Sequence, residues 1–143
     1  MEQSNPYHAN GASGPHFTIL FDGGAVTNPG KGYGSYEITN RGLVVRHSRE
    51  EFGDYVTNNQ AEYMTLIVAL EWLANDLGPD ARFTSLLVNG DSQLVLNQVS
   101  GKWKVKNEGL IPLKQRAVDA VRLFKSAEFV WHARHHSVRR LGH

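Results

Sequence analysis

The chain has 143 residues, about one domain's worth, and its 15 Lys and Arg against 14 Asp and Glu leave a formal charge of +1. Hydrophobic residues make up 41%, which suits a globular domain with an ordinary core and excludes a mostly disordered chain. Cysteine is absent, so disulfides, zinc ribbons, iron–sulfur clusters and thiol nucleophiles are excluded, and any metal must be held by oxygen or imidazole.

Residues 1–15 are rich in Asn, Ser, Gly and Pro and read as a flexible lead-in to a single domain over 16–143. They lack a basic segment followed by an apolar stretch, and no apolar run reaches the roughly 18 residues that span a bilayer. A cytoplasmic protein without a membrane partner is therefore expected. Phe17 to Phe21 reads as a buried strand ending at Asp22-Gly23-Gly24. Asn28-Pro29-Gly30 marks a turn, Tyr33 to Ile38 alternates as a second strand, and Gly42 separates it from a third that starts at Leu43. Two hairpin connections in a row make the first three strands antiparallel.

Thr57-Asn58-Asn59 is an N-cap cluster before an apolar helix that stops at Gly78. Thr84 to Asn89 reads as a fourth strand, followed by Gly90-Asp91-Ser92 and a short helix. Leu110, Leu113, Ala117, Val121 and Phe124 are spaced as one face of a further helix, and Glu128 to Ala133 is a fifth strand. Helices between strands three and four, and between four and five, imply crossovers and parallel pairing. The expected fold is α/β, a five-stranded mixed sheet flanked by helices.

The near-zero net charge hides a distribution. Gly101 to Arg116 holds five cations against Glu108 alone, and Val121 to His143 holds five against Glu128, with four of the seven histidines in that last stretch. Each stretch is +4, a basic surface open to phosphates.

Three acids stand where packing does not ask for them. Asp22 follows the first strand, Asp91 follows the fourth, and Glu62 lies early in the first helix. The C-terminal ends of neighbouring parallel strands share an edge where ligands bind, and a crossing helix can bring Glu62 to the same point. Converging carboxylates repel unless hard cations offset them. Two such ions roughly 3.5–4 Å apart can activate a water and hold the leaving oxygen of a phosphodiester. Taken singly, each acid is also an ordinary turn or first-turn residue.

The segments FDGGAVTNPGKGYGSY, TNNQAEYMTLIVAL and GDSQLVLNQVSGKW, in that order, resemble the ribonuclease H type 1 family over residues 17 to about 134. The resemblance implies the family's five-stranded sheet and a catalytic domain that hydrolyses the RNA strand of RNA/DNA hybrids, leaving 5′-phosphate and 3′-hydroxyl ends. It makes Asp22, Glu62 and Asp91 the catalytic and metal-binding acids, with two Mg²⁺ or Mn²⁺ ions per site when substrate is bound. Gly23, Asn28, Asn59, Gln60 and Ser92 would face the hybrid, where an amide or a close-lying backbone can sense 2′-hydroxyls. Thr57 and Asn58 would form a DNA-phosphate pocket at a helix N-terminus. Lys102, Trp103 and Lys104 would form a basic, aromatic track for that strand. Helix capping by Asn58, and a plain surface end around Trp103, are the structural alternatives. The implied partner is the hybrid alone, bound by a monomer.

The family carries a fourth acid on a final helix soon after the fifth strand. Its position falls near Leu141 or just beyond His143, so the final helix is expected to be missing and activity is expected to lean towards Mn²⁺. His135 is the nearest match to a flexible histidine of that loop, with His136, Ser137 and His143 as other stand-ins. A separate metal site from His132, His135 and His136 is a further candidate, as is a basic tail with no such role. The missing acid also leaves open a second reading, a nuclease-like module that holds hybrids or RNA with weak or no cleavage.

Overall fold

Apolar residues at every second position build one face of the sheet. Along β1 (His16–Ala25), Phe17, Ile19 and Phe21 have no exposed surface, and Tyr36 and Ile38 of β2 (Gly30–Asn40) join them. Leu86 and Val88 of β4 (Ser85–Gly90) extend the same layer. These positions belong to a computed structural model that describes residues 16–134 and Leu141. The remaining elements are β3 (Leu43–Val56), α1 (Asn58–Leu77), α2 (Gln93–Val99), α3 (Ile111–Val121) and β5 (Ser126–Trp131).

Leu66, Ile67, Leu70 and Leu73 of α1 close the core over the sheet. Burying each such side chain is worth roughly 1.5–3 kcal/mol, so the sheet and α1 carry most of the fold. α3 lies against α1 and adds Ala117 and Ala120. Among the described residues, no helix is long and apolar enough to cross a membrane.

The sheet runs β3-β2-β1-β4-β5, with β1–β2 and β2–β3 antiparallel and β1–β4 and β4–β5 parallel. That is the mixed five-stranded sheet expected, with its first three strands antiparallel. The boundaries differ. β1 does not stop before Asp22 but continues through Ala25, because Gly23, Gly24 and Ala25 go on pairing with Gly34, Tyr33 and Gly32. β3 is 14 residues long and bulged against β2. A 3₁₀ turn over Gly78–Phe83 follows α1, with Pro79 in its first turn, where only a helix stop was expected. α3 ends at Val121, although Phe124 beyond it is still buried. β5 is shifted two residues towards the N-terminus, since Ser126 and Ala127 pair with Ser85 and Leu86. The expected lead-in over 1–15 and nearly all of the region of the expected missing helix lie outside the described residues. Leu141, which is described, is buried and apolar.

Candidate active site

Strand register brings the first two acids together. Phe21 of β1 pairs with Gly90 of β4, the last parallel pair between these strands, so Asp22 and Asp91 are the next residues on each side. Asp22 still pairs with Ser35 of β2. It therefore sits inside its strand at the point where β4 leaves it, and neighbours Asp91 without ending β1.

Glu62 arrives from α1 because the helix seats unusually close to the strands. A Cβ on Gly23 would lie 2.7 Å from the Ala61 carbonyl oxygen, and one on Gly34 would lie 1.8 Å from Thr65 Oγ1. With no side chain in between, the Gly23 N–H donates a hydrogen bond to Glu62 Oε1. One carboxylate oxygen each from Asp22, Glu62 and Asp91 then lies within 4.8 Å of the others. Asp22 is 1% exposed and Glu62 7%.

Burial, and next the Asp22 and Asp91 carboxylates, push Glu62 well above the usual carboxylate range, while the Gly23 N–H pulls in the opposite direction. Arg134 Nη1 stands 3.8 Å from Asp91 Oδ2. The donor set is all carboxylate oxygen, converging and mutually repelling, which fits a hard divalent cation such as Mg²⁺ or Mn²⁺ and does not fit a soft one.

Glu62 and Asp91 open into a cleft of about 500 Å³ that Gly23, Asn58, Asn59, Ser92, Tyr33 and Arg134 also line, with Asp22 buried behind them. A second cleft of about 280 Å³ is lined by Asn28, Thr57, Asn59, Gln60, Asn107 and Leu110. Asn59 is common to both. Of the residues singled out for substrate, Gly23, Asn58, Asn59 and Ser92 lie in the first cleft, and Asn28, Thr57, Asn59 and Gln60 in the second. Lys102, Trp103 and Lys104 line neither; they are exposed in the loop after α2, where the Trp103 N–H donates to the Asn97 carbonyl. His135, His136, Ser137 and His143 lie outside the described residues, as does most of the three-histidine group.

Several of these polar residues also hold the walls of the clefts in place. Thr57 is the N-cap of α1: its Oγ1 accepts from the Gln60 N–H, and Gln60 Oε1 accepts from the Thr57 N–H. Asn58 is a brace rather than the cap. Its Oδ1 accepts from the Ala25 N–H at 2.8 Å, and its own N–H donates to Asn28 Oδ1 at 3.0 Å. The Asn28–Pro29 bond in that loop is cis. Ser92 caps α2 through the Val95 N–H.

Tyr33, Asn107, Trp131 and Arg134 escape the sequence reading. Trp131 donates its indole N–H to the Asp91 carbonyl oxygen at 3.0 Å; a Trp at a strand end beside an acidic loop, in need of one acceptor, was the available signal. Arg134 and Asn107 sit within basic stretches that spread the charge over many residues.

A family described as reverse transcriptase-like matches residues 20–138. The bifunctional protein Rv2228c of Mycobacterium tuberculosis is 38% identical over 115 residues, 79% of this chain and 30% of that protein. Its N-terminal RNase H domain, solved as a fusion with maltose binding protein, aligns with a TM-score of 0.78 at 33% identity, covering 88% of this chain and 89% of that one. Ribonuclease HI of Halobacterium salinarum is 39% identical over 98 residues, 68% of this chain and 46% of that protein. LC11-RNase H1, solved in complex with an RNA/DNA hybrid, aligns with a TM-score of 0.78 at 31% identity, covering 86% of this chain and 89% of that one. The chain thus spans less than half the length of these two curated relatives, yet nearly all of the solved domains. With its strand order and its three converging acids, the chain belongs to the reverse transcriptase-like family as a ribonuclease H type 1 domain.

Proposed function

We propose that this domain is a hydrolase cutting the RNA strand of RNA/DNA hybrids with two divalent ions, Mg²⁺ or Mn²⁺, and leaving 5′-phosphate and 3′-hydroxyl ends. The observation that carries the reading is the set of three carboxylates within 4.8 Å of one another, Asp22 and Glu62 buried and Asp91 half-buried, with Glu62 and Asp91 lining a polar cleft. LC11-RNase H1, which shares the fold, was solved with such a hybrid.

Asp22, Glu62 and Asp91 would hold the ions, whose chemistry is to activate a water and to stabilise charge on the departing oxygen. The protein's own contribution is placement. The Gly23 N–H fixes one oxygen of Glu62, and the Trp131 indole fixes the backbone that carries Asp91. Asn59 and Ser92 present amide and hydroxyl groups to the same cleft, suited to the donor-and-acceptor 2′-hydroxyl that tells RNA from DNA. The second cleft, at the N-terminus of α1, suits a phosphate of the other strand.

The test is cleavage of an end-labelled hybrid with Mg²⁺ or Mn²⁺ by wild type and by Asp22→Asn, with the product ends identified by their response to phosphatase and ligase. Wild type cuts and the variant loses at least 100-fold; equal cutting by both overturns the reading. Leu141, at one of the two places where the fourth acid was expected, is buried and apolar, which favours the second reading of a binding module with weak or no cleavage. Tight hybrid binding by a wild type that binds no divalent ion would support that alternative.

A further inference from the structure

A third cleft, of about 360 Å³, lies between the tip of the β1–β2 hairpin and the end of β3, and the proposed reaction does not use it. It owes its shape to an irregularity in the sheet. β3 slips out of register with β2 on both sides of the Gly32–Gly53 pair, and Gly53 takes a φ of +103°, which other residues rarely hold. Bulges of this kind bend an edge strand and re-aim its side chains. The hairpin side is held firmly. The Val26 N–H donates to the Lys31 carbonyl at 2.9 Å, and Asn58 of α1 braces Ala25 and Asn28 on the same hairpin.

Tyr33 joins this cleft to the acid cleft, for it lines both. A Cβ on Gly24 would lie 3.0 Å from its hydroxyl oxygen, so the phenol reaches over the strand that carries Asp22. The Arg49 guanidinium lies over its ring, 5.7 Å from the centroid. Lys31 and the 73% exposed Val26 come from the hairpin, and Glu51 and Asp54 from β3. Among the described residues, the lining is thus two cations, two carboxylates, an aromatic ring and an exposed aliphatic side chain. That mixture suits a duplex poorly, since a duplex presents a dense row of phosphates that two carboxylates repel. It suits single-stranded RNA. Unstacked bases rest on aromatic and apolar groups, base amino groups and 2′-hydroxyls donate to carboxylates, and the phosphates take the cations.

We infer that the cleft bounded by Tyr33 and Arg49 holds unpaired RNA that continues the RNA strand of the hybrid, with Lys31 and Arg49 on its phosphates and Glu51 and Asp54 on a base or 2′-hydroxyl donor. A strand leaving the acid cleft past Tyr33 enters it directly. This rests on the nuclease reading above and narrows its substrate: a hybrid with a single-stranded RNA extension binds better than a blunt one.

The experiment measures equilibrium binding, with Ca²⁺ in place of Mg²⁺, to a blunt hybrid and to the same hybrid bearing a short unpaired extension. The extension is RNA at either end of the RNA strand, or DNA at the same ends. In wild type an RNA extension at one end tightens binding about tenfold, and a DNA extension much less. Lys31→Ala with Arg49→Ala loses most of that gain, while its affinity for the blunt hybrid and its kcat on it in Mg²⁺ stay within about twofold of wild type. Glu51→Gln with Asp54→Asn loses the preference for RNA over DNA, which a purely electrostatic attraction would leave unchanged. No gain at either end overturns the inference, as do an equal gain from DNA, a gain that survives loss of both cations, and an equal loss on the blunt hybrid. A wild type that binds the hybrids without cutting them sinks the nuclease reading alone, and the extensions still decide what the cleft holds. No binding to any of them sinks both.

Discussion

Three carboxylates packed within 4.8 Å should make the metal-free domain less stable than it need be, and Asp22→Asn tests this directly. At that separation and an effective dielectric near 20, each pair of full charges repels by roughly 3.5 kcal/mol. Part of this is relieved at Glu62, where burial and its two neighbours push the carboxyl well above the usual range and so favour its neutral form. Replacing Asp22 removes one charge while keeping the shape, so a gain of about 1–3 kcal/mol is expected near pH 8, roughly 3–10 °C in Tm for a domain of this size. The assay is thermal unfolding in EDTA, then with Mn²⁺ or Mg²⁺ added. Wild type gains about 2.7 kcal/mol at a hundredfold excess over Kd, whereas the variant, short of one ligand, gains much less. The two curves thus cross: the variant is more stable without metal and less responsive to it.

The same group sets the pH dependence of the metal-free protein. With its folded pKa raised, Glu62 keeps a proton that the unfolded chain has already lost, so its contribution to stability is full below the ordinary carboxylate pKa. That contribution is lost as pH rises through the raised folded value. Asp22 is the second cause of the shift, so the fall in stability spans a narrower pH window in Asp22→Asn. A variant less stable than wild type in EDTA, with an equal response to metal, would refute the argument.

Gly34→Ala forces a methyl to 1.8 Å from Thr65 Oγ1 and should cost about 1–3 kcal/mol while lifting α1 and Glu62 from the strands; Thr65→Ala in the same chain should recover part of the loss in a double-mutant cycle of chemical unfolding. Asn58→Ala removes the acceptor of the Ala25 N–H and should cost about 0.5–1.5 kcal/mol in stability, with a loss of hybrid affinity measurable by fluorescence anisotropy. Lys102→Ala with Lys104→Ala should reduce the salt slope of hybrid binding by about two while leaving Mn²⁺ affinity by calorimetry unchanged.

What was legible in the chain follows from how local each signal is. The strands were readable because Phe17, Ile19 and Phe21 alternate, and the acids because the three segments that carry them resemble one family in order; taken singly, each reads as an ordinary turn or first-turn residue. The extension of β1 was not readable, since Gly23 and Gly24 beside an Asp carry the signature of a turn; only α1 lying against Gly23 shows why a strand needs glycine there. Asn58 reads as a cap in sequence because it sits in a Thr-Asn-Asn run, and the brace to Ala25 depends on a neighbour 33 residues away. Arg134 and Trp131 were hidden for the same reason. Their partner is Asp91, 40 residues or more back in sequence, and only the β4–β5 register reveals it.

Gly23 ties fold and chemistry together more tightly than any of the acids. Its missing side chain lets Ala61 and Thr65 come down onto the strand, and its N–H then meets Glu62 one residue further along the helix. The hydrogen bond opposes the rise in the Glu62 pKa that burial and the two aspartates cause, so it favours the ionised form that a metal ligand requires. Packing and ligand readiness are therefore not separable at this position. Any side chain that moves α1 outward also carries Glu62 away from that donor, and Glu62 is left closer to a neutral, metal-indifferent carboxyl. Gly34, by contrast, shares the steric role without the hydrogen bond. A substitution there displaces the helix from one turn further along, so it weakens the Gly23–Glu62 hydrogen bond without adding any atom beside that donor.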